Sequence, residues 1–417
     1  MPCASAFDCG GLNGRCLANS TCACSPGWQG ANCAALKFVP SSARVAFPTA
    51  LWTWGGSPIV DDGGVYHLFA SEMSNLCGIL HYCVNSRVIH LVSPNATGPY
   101  ERREIALAPR RREWDNGAVH GISVHRLPNK TYALLYMGSM QPALSHQPNC
   151  TPGSNDSSAN TTLGSRAGRR IGVATAETLS GPWRRQHSPL FGPDAAAWDD
   201  IDVSNPSPII AKDGSIVMLY KGRGRHTQHV GLAFAPAIDG PYTRNNSGAT
   251  VPDLPGEDPY GWIDEATGVY HALFHDGNGA SSAGRHRWSR DGVHWSGGAP
   301  HIDDLAYTGA MAWANDSAVS PARRGRASVL ARRERPQVLL GGTAGGSAGS
   351  SYGHPTVLFT SAQDCIVHGV DAGRGIPCRA AAIETWRDPV GARVSGGAGH
   401  YTGTDMSYTV LEEVDVG

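Results

Sequence analysis

Charge is scarce in this sequence and nearly cancels. Charged residues make up 17% of the chain, 34 Lys and Arg face 35 Asp and Glu, and the net charge is −1. No basic excess exists to hold nucleic acid or an anionic membrane surface, so neither is expected as a partner. Long apolar runs are missing too: no stretch reaches the ~18 residues a membrane helix needs, and no membrane insertion is expected. A recurring 3.6-residue apolar period is absent, which argues against a helical domain. No Gly-x-Ser-x-Gly elbow offers a serine nucleophile. Cysteine chemistry begins at Cys3, leaving no room for a signal segment, so the chain reads as a mature or trimmed ectodomain.

What the sequence does have is glycine (52), proline (28) and cysteine (11). The first two mean many tight turns. Six of the cysteines fall within the first 33 residues, a density that implies disulfides formed in an oxidising compartment. Asn-x-Ser/Thr sequons at Asn19, Asn95, Asn129, Asn149, Asn155, Asn160, Asn245 and Asn315 point the same way, to a glycoprotein. The expected location is secreted, or the ectodomain of a cell-surface protein. At 417 residues the chain holds more than one core or one large repeat-built domain.

The first 36 residues form a unit of their own. Cys3, Cys9, Cys16, Cys22, Cys24 and Cys33 are too closely spaced for a self-supporting core, so cross-links supply the constraint. Spacing alone leaves many pairings open. The tail Cys22-Ala23-Cys24-Ser25-Pro26-Gly27-Trp28, closing at Cys33, resembles an EGF-like domain. The resemblance implies the pairs Cys3–Cys16, Cys9–Cys22 and Cys24–Cys33. The calcium-binding variety has acidic residues before its first cysteine; this chain has none there, so no calcium is expected. The module reads as a spacer or as a surface for an extracellular protein partner.

From residue 37 to about 380 a weak repeat appears. An alternating strand recurs at 63–71, 129–139, 213–223, 267–277 and 354–362, each preceded by a short apolar strand. Four of those preceding strands contain an early proline, at Pro58, Pro206, Pro259 and Pro336; the exception is 120–127. A third strand follows in the first four units, ending in turns at 97–100, 180–183, 239–242 and 291–295. Such a pattern means antiparallel sheets, and five units closing radially give an all-β, five-bladed β-propeller. A β-sandwich is the alternative, but it does not impose this repeat. Gln141–Arg170 reads as a surface insertion, and 381–417 as a closing strand or tail.

In a propeller the innermost strands start around one end of the channel. The residues at those starts, Ser57, His120, Asn205, Glu257 with Asp258, and Glu334 with Arg335, are therefore expected to converge. Two carboxyls in different protonation states are what glycosidic cleavage needs. The blade pattern, with Glu257-Asp258-Pro259 opening the fourth unit, resembles the five-bladed furanosidase superfamily: glycoside hydrolase family 43 (arabinanases, xylosidases, galactanases) and, more distantly, invertases and levansucrases. The resemblance implies Glu257 as general acid, in a polar pocket with a raised pKa. It places an Asp base before the first blade's proline and a pKa-setting Asp before the third's; these positions are held by Ser57 and Asn205. The base is left among Asp202, Asp200, Asp258 and Glu334, with Asp115 a further nearby acid. Trp54, Trp114 and Trp198 offer flat faces for sugar rings, and His120 and Arg335 polar contacts.

No cofactor or metal is expected. His271 and His275 share a strand face but have no third ligand at useful spacing. The glycine-rich 341–349 precedes a strand, so it lacks the helix terminus of a phosphate loop. The arginines from Arg323 to Arg335 read as solvation and as partners for axial carboxylates. Cys365 and Cys378 are expected to pair, and Cys150 to bond Cys77 or Cys83. The expected function is a glycoside hydrolase-like protein acting on an oligosaccharide or polysaccharide of a cell surface or matrix. The rival is a catalytically silent propeller that binds a glycan or a protein.

Overall fold

A computed structural model describes residues 2–47, 52–75, 77–141, 146–150, 168–225, 228–245, 256–276, 282–297, 305–317, 319, 323–341, 351–363 and 407–417. It is a five-bladed propeller, each blade a four-stranded antiparallel sheet. The inner strands are Thr53–Val60, Ala118–Arg126, Asp202–Ile210, Glu257–Ile263 and Arg332–Gly341, and each packs on both neighbours around the ring. They are buried almost end to end, on both faces. This is why they carry little alternation, whereas strands half in water alternate.

The fourth strands were not legible in the sequence. In blades two to five they are only two or three residues long: Arg184–Arg185, Thr243–Arg244, Leu305–Tyr307 and Arg44–Val45. The fifth blade joins both ends of the chain. Its third strand is Tyr408–Glu413, which settles part of the 381–417 segment, and its outermost strand, Arg44–Val45, comes from the N-terminal side. The recurring turns before the fourth strands fix aromatics that fold back on them. Tyr100 and Tyr242 donate their hydroxyls to the carbonyls of Ala96 (2.9 Å) and Ile238 (3.0 Å), and Trp295 donates Nε1–H to Gly292 (3.1 Å).

The disulfide module carries the bonds Cys3–Cys16, Cys9–Cys22 and Cys24–Cys33. It is not a spacer. Trp28 stacks on Trp262 of blade four (6.5 Å between ring centroids) and packs at a tilt against His286 (4.8 Å). Phe7 lies 5.3 Å from Trp288, with Arg290 over its other side. Gly27 donates its N–H to Asp415 beyond the last strand (2.6 Å). The module's cysteines and Leu36 thus share one apolar core with Tyr260, Tyr307 and Val338. Elsewhere Cys77 pairs with Cys150, and Cys83 is a buried cysteine outside that bond. Cys365 and Cys378 lie outside the described residues, as do Asn155, Asn160 and nearly all of 341–349. Asn19, Asn95, Asn129, Asn149 and Asn315 are exposed, and Asn245 is half-buried.

Because Trp28 is 8% exposed and sits in the core that the module shares with the propeller, Trp28→Ala should cost about 3 kcal/mol of whole-chain stability. Denaturant unfolding with disulfides intact measures it. A loss below about 1 kcal/mol would show that the module hangs free of the propeller.

Candidate active site

All five inner strands break register at the same place. The shifts fall between Trp54 and Ser57, His120 and Ser123, Ser204 and Ser207, Glu257 and Tyr260, and Glu334 and Gln337. Each is a β-bulge, which re-aims the chain toward the axis. The bulged residues are Gly55, Gly121, Asn205, Asp258 and Arg335, all with φ between 53° and 72°. Two are glycine, for which this conformation is free; Asn and Asp tolerate it, and Arg is strained there.

This register corrects the first blade. The residue equivalent to Asn205 is Gly55, not Ser57. Ser57 lies deeper, accepting a hydrogen bond from Val124 N–H (3.0 Å) at the seam between blades one and two. The first blade therefore presents no side chain at its bulge.

The bulge side chains of blades three, four and five meet one another. Asn205 donates Nδ2–H to Asp258 Oδ1, and Arg335 donates Nη2–H to Asn205 Oδ1 (2.8 Å). The Arg335 guanidinium lies over Gly121, where any Cβ would collide with it. Beside this triad runs a second chain of charges. Lys221 is paired with Glu257 Oε2; His275 sits 3.6 Å from Glu257 and 4.0 Å from Glu334; Arg332 binds Glu334 at 2.8 Å and lies over the Trp54 ring. His120 is buried, bonded to Ser86 Oγ (2.8 Å), and burial, then Arg335 and Arg169, hold its imidazole neutral. Ser204 Oγ and both ring nitrogens of His275 are buried without a hydrogen-bond partner among the described residues.

The environments split the acids. Burial would raise the Glu257 carboxyl, but Lys221 and His275 hold it well below its ordinary value. The raised pKa expected of Glu257 is thus reversed. Asp258 goes the other way: burial pushes it up, Arg335 opposes, and Glu257 and Glu334 push it up further. Burial presses the His275 imidazole down, but Glu334 and Glu257 hold it up at about 9. Glu257, His275 and Glu334 present donor atoms within 4.8 Å of one another. A cation there would have to displace Lys221, Arg332 and the imidazole proton, so the trio is an ion network rather than a ligand set.

The remaining expected residues are engaged elsewhere. Asp202 is fully buried between Arg169 (2.7 Å) and Arg223 (2.6 Å). Asp200 is partly exposed, 3.6 Å from Arg225. Asp115 binds Arg110, Arg185 and the Tyr136 hydroxyl, just as Asp199 binds Arg244 and the Tyr220 hydroxyl. Trp114 and Trp198 stack on those same tyrosines, 5.7 and 6.3 Å between centroids. The two Trp-Asp pairs are a repeated blade fastener, and their rings are taken up in packing. Lys221 was missed by sequence reading and His275 was discounted, whereas Arg332 was among the arginines expected to pair with axial carboxylates and binds Glu334. Lys221 and His275 occupy equivalent second-strand positions, opposite Ser204 and Glu257, which the repeat register alone could have flagged.

No family model matches the chain, and no curated protein matches it. Solved structures do. Zg3597, a family 117 glycoside hydrolase from Zobellia galactanivorans, is 13% identical over 91% of this chain and 90% of its own, with a TM-score of 0.56. A GH62 hydrolase solved with xylotriose is 9% identical over 93% and 99%, TM-score 0.50. Fructan 1-exohydrolase IIa from Cichorium intybus is 15% identical over 81% and 56%, TM-score 0.50. The chain has the five-bladed propeller fold of these glycoside hydrolases.

The His275 imidazole gives a pH signature. Its folded value, about 9, lies above the ordinary 6.5, so its protonation stabilises the fold below pH 6.5. That stability, up to about 3 kcal/mol, should be lost as pH rises toward about 9. Thermal melts from pH 6 to 10 should show the decline in the wild type and a flatter profile in His275→Gln. Parallel profiles would contradict it.

Proposed function

We propose that this chain is a secreted glycoside hydrolase acting on an extracellular or cell-surface glycan. The observation that carries the reading is that two adjacent carboxyls at the axial bulges are pushed in opposite directions, Glu257 down by Lys221 and His275 and Asp258 up by burial. The role first expected of Glu257 passes to Asp258. As a carboxylic acid, Asp258 gives its proton to the glycosidic oxygen as the C–O bond breaks. Glu257, ionised and with 22% of its side chain open, either takes a proton from the attacking water or bonds the anomeric carbon itself. Disulfides and exposed sequons support the secretory pathway. The outward residues of the disulfide module, such as Arg15 and Thr21, are where an extracellular protein partner would bind.

A propeller that binds glycan without turnover is the second reading. It is favoured by Gly55, which leaves the first bulge without a carboxyl, and by the Lys221 ammonium already on Glu257.

Reducing-sugar release from an arabinan, galactan and fructan panel separates them. Asp258→Asn, a residue that tolerates the left-handed backbone, should lose about 10²- to 10⁴-fold in turnover on natural linkages. It should keep most activity on aryl glycosides, whose leaving group needs no proton. Glu257→Gln should lose both. Glycan binding with no release by the wild type selects the second reading, and equal loss on both substrates by Asp258→Asn removes Asp258 as the acid.

A further inference from the structure

Arg335 is placed at a cost that its own contacts do not repay. It holds a left-handed backbone (φ 54°), a conformation unfavourable for a long side chain. Its guanidinium is buried, with 8% of the side chain exposed, and its nearest carboxylate oxygen, Asp258 Oδ1, is 3.8 Å away. That is beyond hydrogen-bond reach. The hydrogen bond it does make goes to the neutral amide of Asn205. Four of the five other buried arginines behave differently: Arg126, Arg169, Arg285 and Arg333 each hold a carboxylate within 2.8 Å. A buried guanidinium with donors to spare is expensive unless an anion completes it. Gly121 and Gly55, side-chain-free at their bulges, leave the room that the Arg335 side chain itself occupies.

The surroundings carry the same sign. Lys221, His275, Arg332 and Arg335 face Glu257, Asp258 and Glu334, so four cationic groups meet three carboxyls. Burial, Glu257 and Glu334 push Asp258 toward its neutral form against the pull of Arg335. In the adjoining blade, Arg169 and Arg223 share the single carboxylate of Asp202.

We propose that the axial site takes an anionic sugar, whose carboxylate or sulfate ester is held by the Arg335 guanidinium. This rests on the glycan reading above and names its substrate class. The planar fork suits both anions, since each offers two oxygens at matching spacing. Asn205 holds the guanidinium in place through its carbonyl, and its amide holds Asp258.

Calorimetric titration of the full chain tests it with matched pairs of oligosaccharides. One pair is an oligogalacturonate and its carboxyl-reduced counterpart; the other is a sulfated galactan oligosaccharide and its desulfated form. At low salt one acidic member should bind about ten- to a hundredfold tighter than its neutral twin. The advantage should shrink with salt and vanish in Arg335→Gln. Preference within the first pair names a uronate, and within the second a sulfate ester. Equal binding of acidic and neutral twins by the wild type overturns the inference while leaving the glycan reading standing, and needs no variant to fold. An undiminished preference in both Arg335→Gln and Arg335→Lys overturns it too. Binding of no glycan at all defeats the glycan reading with it.

Discussion

The structure turns on the bulge that interrupts every inner strand. These strands are buried on both faces, between neighbouring blades, so their side chains are committed to the seams. A strand held that way has no direction left for a side chain to reach the axis. One extra residue in the left-handed region supplies it. The repetition of this bulge at Gly55, Gly121, Asn205, Asp258 and Arg335 makes a ring whose contents are set by five separate choices of residue. Two choices are glycine, and they give the Arg335 side chain somewhere to lie. The other three make the hydrogen-bonded triad. The residues just before the bulges, Glu257 and Glu334 among them, are carried to the same end and meet Lys221, His275 and Arg332.

Holding several like charges near one axis needs a rigid ring, and the chain closes it twice. Arg44–Val45 pairs with Tyr408–Glu413, so the fifth sheet contains both ends of the propeller segment. The disulfide module then covers the seam between blades four and five, through Trp28, Leu36 and the last residues of the chain. Blades four and five are the ones that contribute Glu257, Asp258, Glu334 and Arg335. The module thus buttresses the side of the ring where the charge is densest.

The blade count and the convergence of Asn205, Glu257, Asp258, Glu334, Arg335 and His120 were legible in the sequence, because turn chemistry recurs along the chain and an early proline recurs at four of the five inner strands. The register was not. Proline follows the bulge at Asn205, Asp258 and Arg335 but not at Gly55, where Gly56 takes its place, and so Ser57 was read two residues out. The Trp-Asp pairs at 114–115 and 198–199 looked like site residues because acids and aromatics beside a sugar-binding fold invite that reading. Their repetition in two successive blades was the sign of a structural fastener. The sense of each pKa shift lay beyond sequence altogether. It depends on Lys221 and His275, which come from second strands and reach Glu257 only through sheet pairing.

Two neighbouring residues share this site, and the account requires that they hold their protons oppositely. Asp258 is buried beside Glu257 and Glu334 with the Arg335 guanidinium 3.8 Å away, and Glu257 sits on an ammonium beside an imidazolium. The direct measurement is a carbon-13 titration of the side-chain carboxyls in the intact, selectively labelled chain, with Asp258→Asn and Glu257→Gln to assign the signals. The account predicts that Asp258 titrates above the ordinary aspartate value of 3.8, while Glu257 stays ionised well below the ordinary glutamate value of 4.5. A Glu257 signal that takes up its proton at higher pH than Asp258 would contradict it.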